Sequence, residues 1–339
     1  MTDTAVLAAG NFLVDWAERM EWPLDPTSLR GVLERACTGQ LDPRGPDGRL
    51  ASTMTRYGIP LEVSVSGGRG EIVPTLRYTA EAATQETSFA TRVTAQCAVI
   101  RDLAARLPNS SEATADMLAS FVATLYPAAR PVPARCRSAA GTGIVHHPYA
   151  PEHIARLKVY GSPAIVPGTF QRLCSIWPEF TALASVPDDE KLIELSGTAL
   201  EVDAYGQINY KIYFQARPND AAVPMKLVRH FGEPAWELMS ELVSCGLDAT
   251  DLHRHTIFFC NAPGGCALLI GRTRDNDLKD LARELAARHH GSAHGVDSMV
   301  LAAESSGATW HYTAVALGFS ADSGINKLNV YGAPLWTTG

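Results

Sequence analysis

One strand-forming phrase recurs along this chain and limits what it can fold into. Leu157-Lys158-Val159-Tyr160-Gly161-Ser162-Pro163 is echoed by Leu328-Asn329-Val330-Tyr331-Gly332-Ala333-Pro334, and Tyr210-Lys211-Ile212-Tyr213 shares their core. Tyr160 and Tyr213 lie one step apart, and Tyr331 lies about two such steps further on, with a candidate hairpin at 253–273 midway. A fixed step of this size marks one supersecondary unit copied along the chain.

Alternating apolar and polar residues predict five strand pairs: 60–67 with 73–82, 139–147 with 155–161, 192–203 with 208–217, 253–261 with 266–273, and 309–320 with 326–332. Apolar residues returning every three or four positions predict helices at 4–19, 26–38, 83–107, 111–126, 168–184, 222–245, 276–290 and 296–305. The apolar face of each strand needs a cover, and the amphipathic helices between the hairpins supply it. The expected class is α+β, a ten-stranded antiparallel barrel inside a ring of helices, with residues 1–339 forming a single domain.

At 339 residues and 46% apolar content the chain can bury a large core, which excludes disorder. A net charge of −7 argues against nucleic-acid and anionic-membrane partners, because such binding neutralises many phosphates at once. No apolar run approaches the roughly 18 residues of a membrane span, and the N-terminus lacks the order of a secretory signal, so a cytoplasmic location is expected. Seven cysteines, with Cys260 and Cys266 the closest pair, fit neither a disulfide framework nor a zinc site and read as buried small residues.

The informative face is the one turned away from the helices. Side chains alternate across a strand, so Arg156, Lys158 and Tyr160 share a face, as do Asn209, Lys211 and Tyr213, and Lys327, Asn329 and Tyr331. On the first hairpin Glu62, Ser64 and Ser66 oppose Leu61, Val63 and Val65, while Thr75, Arg77 and Thr79 oppose Leu76, Tyr78 and Ala80. One such face would ordinarily be solvated. Three repeats of a cation or amide followed by tyrosine instead suggest a lined lumen, and ten strands enclose more space than side chains fill.

Arg77, Lys158, Lys211 and Lys327 together would neutralise a diphosphate. Loss of diphosphate from an allylic carbon leaves a cation that the faces of Tyr160, Tyr213 and Tyr331 can stabilise, while a dry chamber keeps water from it. Glu62, beside small serines, can accept a proton from an aromatic N–H, although it could also serve as partner to an inward lysine. Trp310 and Tyr312 are expected to share a face with Ala314, Ala316 and Gly318, where an aromatic acceptor could stack; buried aromatics are more often core. Asp188-Asp189-Glu190 reads as a solvated turn rather than a metal box. Ser66-Gly67-Gly68-Arg69-Gly70 reads as a hairpin turn rather than a phosphate loop. The His146-His147, His253/His255 and His289-His290 pairs lack zinc-enzyme spacing and read as surface or structural residues.

Taken in order, Gly58-Ile59-Pro60-Leu61-Glu62-Val63-Ser64, Leu76-Arg77-Tyr78, the Lys-x-Tyr strands at 158–160 and 211–213, and Lys327 to Tyr331 resemble the indole prenyltransferases of the dimethylallyltryptophan synthase type. The resemblance covers most of the chain and looks closer to the compact bacterial members. It implies the ABBA, or PT-barrel, fold of five ααββ-like repeats, with transfer of an isoprenyl group from its diphosphate to an indole acceptor and no metal or other cofactor. It implies that Glu62 deprotonates the indole nitrogen, that Arg77, Lys158 and Lys211 hold the diphosphate, and that Tyr160, Tyr213 and Tyr331 shield the cation. Two departures stand out. Asn209 occupies a place where arginine is usual, which shifts diphosphate binding toward Arg156 or Lys327. Cys266-Ala267-Leu268-Leu269-Ile270-Gly271 lacks the polar residue and tyrosine of the other repeats, which leaves donor length open. A phenol, tyrosine or peptide acceptor and a non-catalytic ligand-binding barrel remain as alternatives.

Overall fold

The structure is a computed structural model and describes residues 4–128, 130, 132, 136, 140–150, 153–184, 192–271 and 277–336. Helices α1 (Thr4–Arg19) and α2 (Pro26–Ala36) precede strands β1 (Leu61–Gly68), β2 (Glu71–Ile72) and β3 (Arg77–Ala80). Helices α3 (Phe89–Ala104) and α4 (Glu112–Leu125) lead to β4 (Gly141–His146) and β5 (Ile154–Gly161). Then α5 (Thr169–Ile176) and α6 (Glu179–Leu183) precede β6 (Ile193–Asp203) and β7 (Ile208–Ala216). Next, α7 (Val223–Phe231) and α8 (Glu233–Ser244) precede β8 (Thr256–Ala262) and β9 (Gly265–Gly271). Last, α9 (Lys279–His289) and α10 (His294–Ser305) precede β10 (Ala308–Ser320) and β11 (Gly324–Trp336). The order is helix pair then hairpin, five times over.

Two of the expected helices are each split, and this creates the pairing. The segment 168–184 divides between α5 and α6 at Trp177-Pro178, where proline has no N–H to continue the first helix. The segment 222–245 divides at Gly232, whose φ of 68° places it in the left-handed region, with Pro234 in the first turn of α8. Helix α3 begins at Phe89 rather than 83, because the Ser88 side chain caps it by accepting from the Thr91 N–H. The irregular stretch before it hangs on buried Arg92, which donates to the carbonyls of Glu86 (2.7 Å), Ala51 (3.0 Å) and Thr84 (2.6 Å).

All strands pair antiparallel with their neighbours, and β11 pairs with β1 from Val63↔Gly332 to Gly67↔Leu328, which closes the sheet into a barrel. Segments β2 and β3 both pair with β1 and together make one stave, which starts two residues before the expected 73–82 and is interrupted within it. Pro74 lies in the break, unable to donate to the ladder, while the Val73 N–H still reaches the Ser66 carbonyl at 2.8 Å. Ten staves therefore form the wall, as five hairpins require.

The outward faces of the strands make the core. Leu157, Val159, Val315, Leu317, Leu328 and Val330 are fully buried between the wall and the helices, which contribute Phe12, Trp16, Phe121, Leu285 and Met299. His146, His255 and His290 are buried and structural: their rings meet the Tyr78 hydroxyl, the Gly271 carbonyl and the Leu328 carbonyl. All seven cysteines are unpaired, but only Cys37 and Cys245 are buried, so the expectation of seven buried residues is too broad. Asp188-Asp189-Glu190 lies outside the described residues.

Replacing Arg92 with leucine strands three carbonyls, and we expect a stability loss of about 3 kcal/mol in urea unfolding with little change in the m-value.

Candidate active site

Second strands of the five hairpins all run in one direction, and each is displaced two residues along the barrel from the one before. Tyr160 aligns through Ala199 with Lys211, and Tyr213 aligns through Cys260 with Ala267. With that displacement the inward side chains form rows around the lumen. One row holds Arg77, Lys158, Lys211, Ala267 and Asn329; the next along the axis holds Thr79, Tyr160, Tyr213, Leu269 and Tyr331. The Lys-x-Tyr phrase is therefore a cation row stacked on an aromatic row.

Two cavities lie on either side of the aromatic row and share its five residues. The first, of about 250 Å³, is lined by Arg77, Arg156, Lys158, Lys211 and Lys327, so the structure brings together every cation that the sequence singles out. The second, of about 430 Å³, contains Glu62 and a further buried carboxylate, Glu81.

Within the first cavity Lys158 Nζ donates to the Tyr213 hydroxyl at 2.7 Å and stands 4.2 Å from the centroid of the Tyr160 ring. The face of Tyr160 already accommodates a positive charge. Arg77 donates to Asn329 Oδ1 at 3.2 Å. Glu201, absent from the sequence reading, receives Lys211 Nζ at 3.2 Å and lies 3.6 Å from Arg156. Burial acts to raise its carboxyl, but Lys158, Lys211 and Arg156 outweigh that and hold it down to about 2. It therefore stays ionised and orients two of the five cations.

One carboxylate does not balance five cations. Burial holds Arg77 and Lys158 below their ordinary values, and the ammonium of Lys158 together with burial does the same to Lys211. Lys327 is pushed down to about 7 by burial and then by Arg77, Lys211 and Arg156. Such a site gains by taking up a compact polyanion, with guanidinium forks and ammonium points both available to phosphate oxygens.

In the second cavity burial pushes Glu62 up to about 7, a rise partly opposed by the Thr313 hydroxyl, which donates to Glu62 Oε1 at 2.6 Å. A carboxyl at this value is poised to exchange a proton near neutral pH. Burial also raises Tyr160, to about 12, and Tyr213 and Tyr331, so these hydroxyls remain protonated and the rings act as neutral faces.

Trp310 and Tyr312 do not reach this chamber, contrary to the sequence expectation. The β10–β11 ladder skips a residue between Tyr312↔Gly332 and Ala314↔Tyr331, which is a β-bulge at Thr313. An extra residue resets the alternation. Trp310 stacks on Phe12 of α1 with ring centroids 5.9 Å apart and meets Tyr312 edge-on at 6.0 Å, on the helix side of the wall. Gly332, the ladder partner of Tyr312, is required there, since a Cβ would run into the Trp310 ring. The same bulge turns Thr313 inward onto Glu62. No period-two count finds such a residue, and Glu201 was equally hidden because its face of β6, with Gly197, Ala199 and Asp203, carries none of the repeated cation-and-tyrosine phrase.

No protein-family model matches the chain, and no curated protein matches its sequence. Solved structures do match in shape. The apo form of prenyltransferase PriB superposes with a TM-score of 0.73 at 17% identity, covering 98% of this chain and 99% of that one. For 5-dimethylallyltryptophan synthase from Streptomyces coelicolor the values are 0.67 and 18%, over 98% of each chain. For 6-dimethylallyltryptophan synthase from Micromonospora olivasterospora, in complex with DMASPP and Trp, they are 0.64 and 18%, over 96% of this chain and 95% of that one. The fold is thus the PT barrel of the aromatic prenyltransferases. Among barrels of that kind, this chain is similar over nearly its whole length to bacterial tryptophan-prenylating members.

Inorganic diphosphate should bind the first cavity with proton uptake at Lys327, so its affinity falls as pH rises through about 7. Calorimetric titration in buffers of different ionisation enthalpy checks this, and Lys327→Met should remove the pH step.

Proposed function

We propose that the protein transfers an isoprenyl group from its diphosphate to the indole ring of tryptophan or a tryptophan-derived compound, without a metal. The observation that carries this reading is the stack of three environments on one axis: a cation-lined cavity, a row of tyrosines, and a second cavity bearing a carboxylate poised near neutrality. The chemistry needs those three environments in that order.

The C1–O bond of the donor breaks and its electron pair leaves with the diphosphate, which stays among Arg77, Arg156, Lys158, Lys211 and Lys327. Their five charges supply the stabilisation that a divalent metal would otherwise give a leaving diphosphate. The allylic cation faces Tyr160, Tyr213 and Tyr331, and the closed wall keeps water away. A ring atom of the indole in the second cavity attacks C1. The ring then gives up a proton, which the Glu62 carboxylate accepts while Thr313 fixes its orientation. Proteins of the same fold crystallised with DMASPP and Trp support these ligand classes. The seven unpaired cysteines fit an enzyme of the reducing cytoplasm, and no described helix is long and apolar enough to cross a membrane.

Incubation with dimethylallyl diphosphate, tryptophan and excess EDTA should yield a prenyl mass increment on the indole; prenylation of tyrosine or a phenol alone would favour a different acceptor class. Since Glu62 must be ionised to accept the proton, kcat at saturating donor should rise as pH rises through about 7, while kcat/KM for the donor should be bell-shaped because Lys327 must be protonated to hold the diphosphate. Glu62→Gln should lose the rising limb and on the order of a hundredfold or more in turnover. Tyr331→Ala opens the aromatic row and should raise the ratio of free prenyl alcohol to prenylated product, measured by chromatography.

A further inference from the structure

The lumen is not polar all the way round. Where the other second strands put a cation or amide and then a tyrosine or threonine, β9 puts Ala267 and then Leu269. The gap widens onto both neighbouring strands: Cys260, Ala267 and Gly318 are directly opposed across β8, β9 and β10. These residues form an uncharged wall with almost no side chain at two of its three points. At Gly318 even a Cβ would come within 3.1 Å of the Lys327 side chain, so the glycine keeps this wall low. The sector lines the first cavity, the one that holds the cations, and Leu269 lines both cavities.

The cations stand on β3, β5, β7 and β11, which leaves β8 to β10 as the wall toward which a chain attached to the bound diphosphate can run. A dimethylallyl group reaches only the tyrosine row. A chain one isoprene unit longer needs apolar space that neither the phosphates nor the acceptor occupies, and the uncharged sector between Lys211 on β7 and Lys327 on β11, across the barrel from β3 and β5, is that space. We propose that it receives the second isoprene unit of the donor, and that Ala267 and Leu269 set donor length so that the protein takes geranyl diphosphate in preference to dimethylallyl diphosphate. This rests on the first cavity being the donor site; the bond broken and the bond formed are those described above, at C1 of the longer chain.

The test is calorimetric binding of the unreactive dimethylallyl and geranyl thiolodiphosphates to the full chain, which needs no acceptor. The geranyl analogue should bind about tenfold more tightly, and Ala267→Leu should remove that advantage while changing dimethylallyl affinity less than about threefold. Leu269→Tyr, which restores the residue of three other repeats, should shift preference the same way and serves if Ala267→Leu does not fold, as judged by thermal melting. Equal or weaker binding of the geranyl analogue by the unaltered protein overturns the proposal. So does a folded Ala267→Leu or Leu269→Tyr that weakens both analogues alike. A protein that prefers the geranyl analogue but prenylates no indole would sink the indole reading alone, whereas one that transfers dimethylallyl to tryptophan without that preference would sink this inference alone.

Discussion

Five cations share one buried lumen with Glu201 as the carboxylate bonded among them, and every other feature of the structure accommodates that arrangement. Like charges brought together in a low-dielectric space repel strongly, and each loses hydration. The depressed values of Arg77, Lys158 and Lys327 register first that loss of hydration and then the repulsion, and at Lys211 the repulsion from Lys158 comes first. The protein tolerates it because its stability comes from elsewhere: the apolar outer faces of the staves lie against ten described helices, and closure of β11 on β1 leaves no free edge. The core holds the wall, and the wall holds the charges.

Ordering along the axis follows from barrel geometry. A two-residue displacement per hairpin turns a phrase repeated along the chain into rings stacked across the lumen, cations in one and tyrosines in the next. Strand pleat keeps the two rings at fixed separation. In the proposed reaction a leaving diphosphate and an incoming aromatic ring meet across the tyrosines rather than side by side, and the cation formed between them faces aromatic carbon instead of water.

Much of this could be read from the chain alone. The five hairpins, the antiparallel pairing and the inward cations and tyrosines all follow from alternation, because a strand buried on one face must sort its side chains in twos. Helix pairing was less legible: Pro178 and Gly232 divide two helices that apolar spacing reads as continuous. Trp310 and Tyr312 were misplaced for a single reason, the bulge at Thr313, which shifts the alternation without altering composition.

What the sequence by itself determined is the list of inward groups and their order along each strand, since local alternation decides the face that a residue takes. Which of those groups meet was decided only by the tertiary structure. Glu62 and Thr313 come from opposite ends of the chain, as do Arg77 and Asn329, and each pair is joined by closure of β1 on β11. Glu201 acquires its role only when β6 lies between two lysine-bearing strands. The value of each ionisable group was decided there as well, because burial and the distance to the next charge are properties of the closed lumen and not of any segment within it.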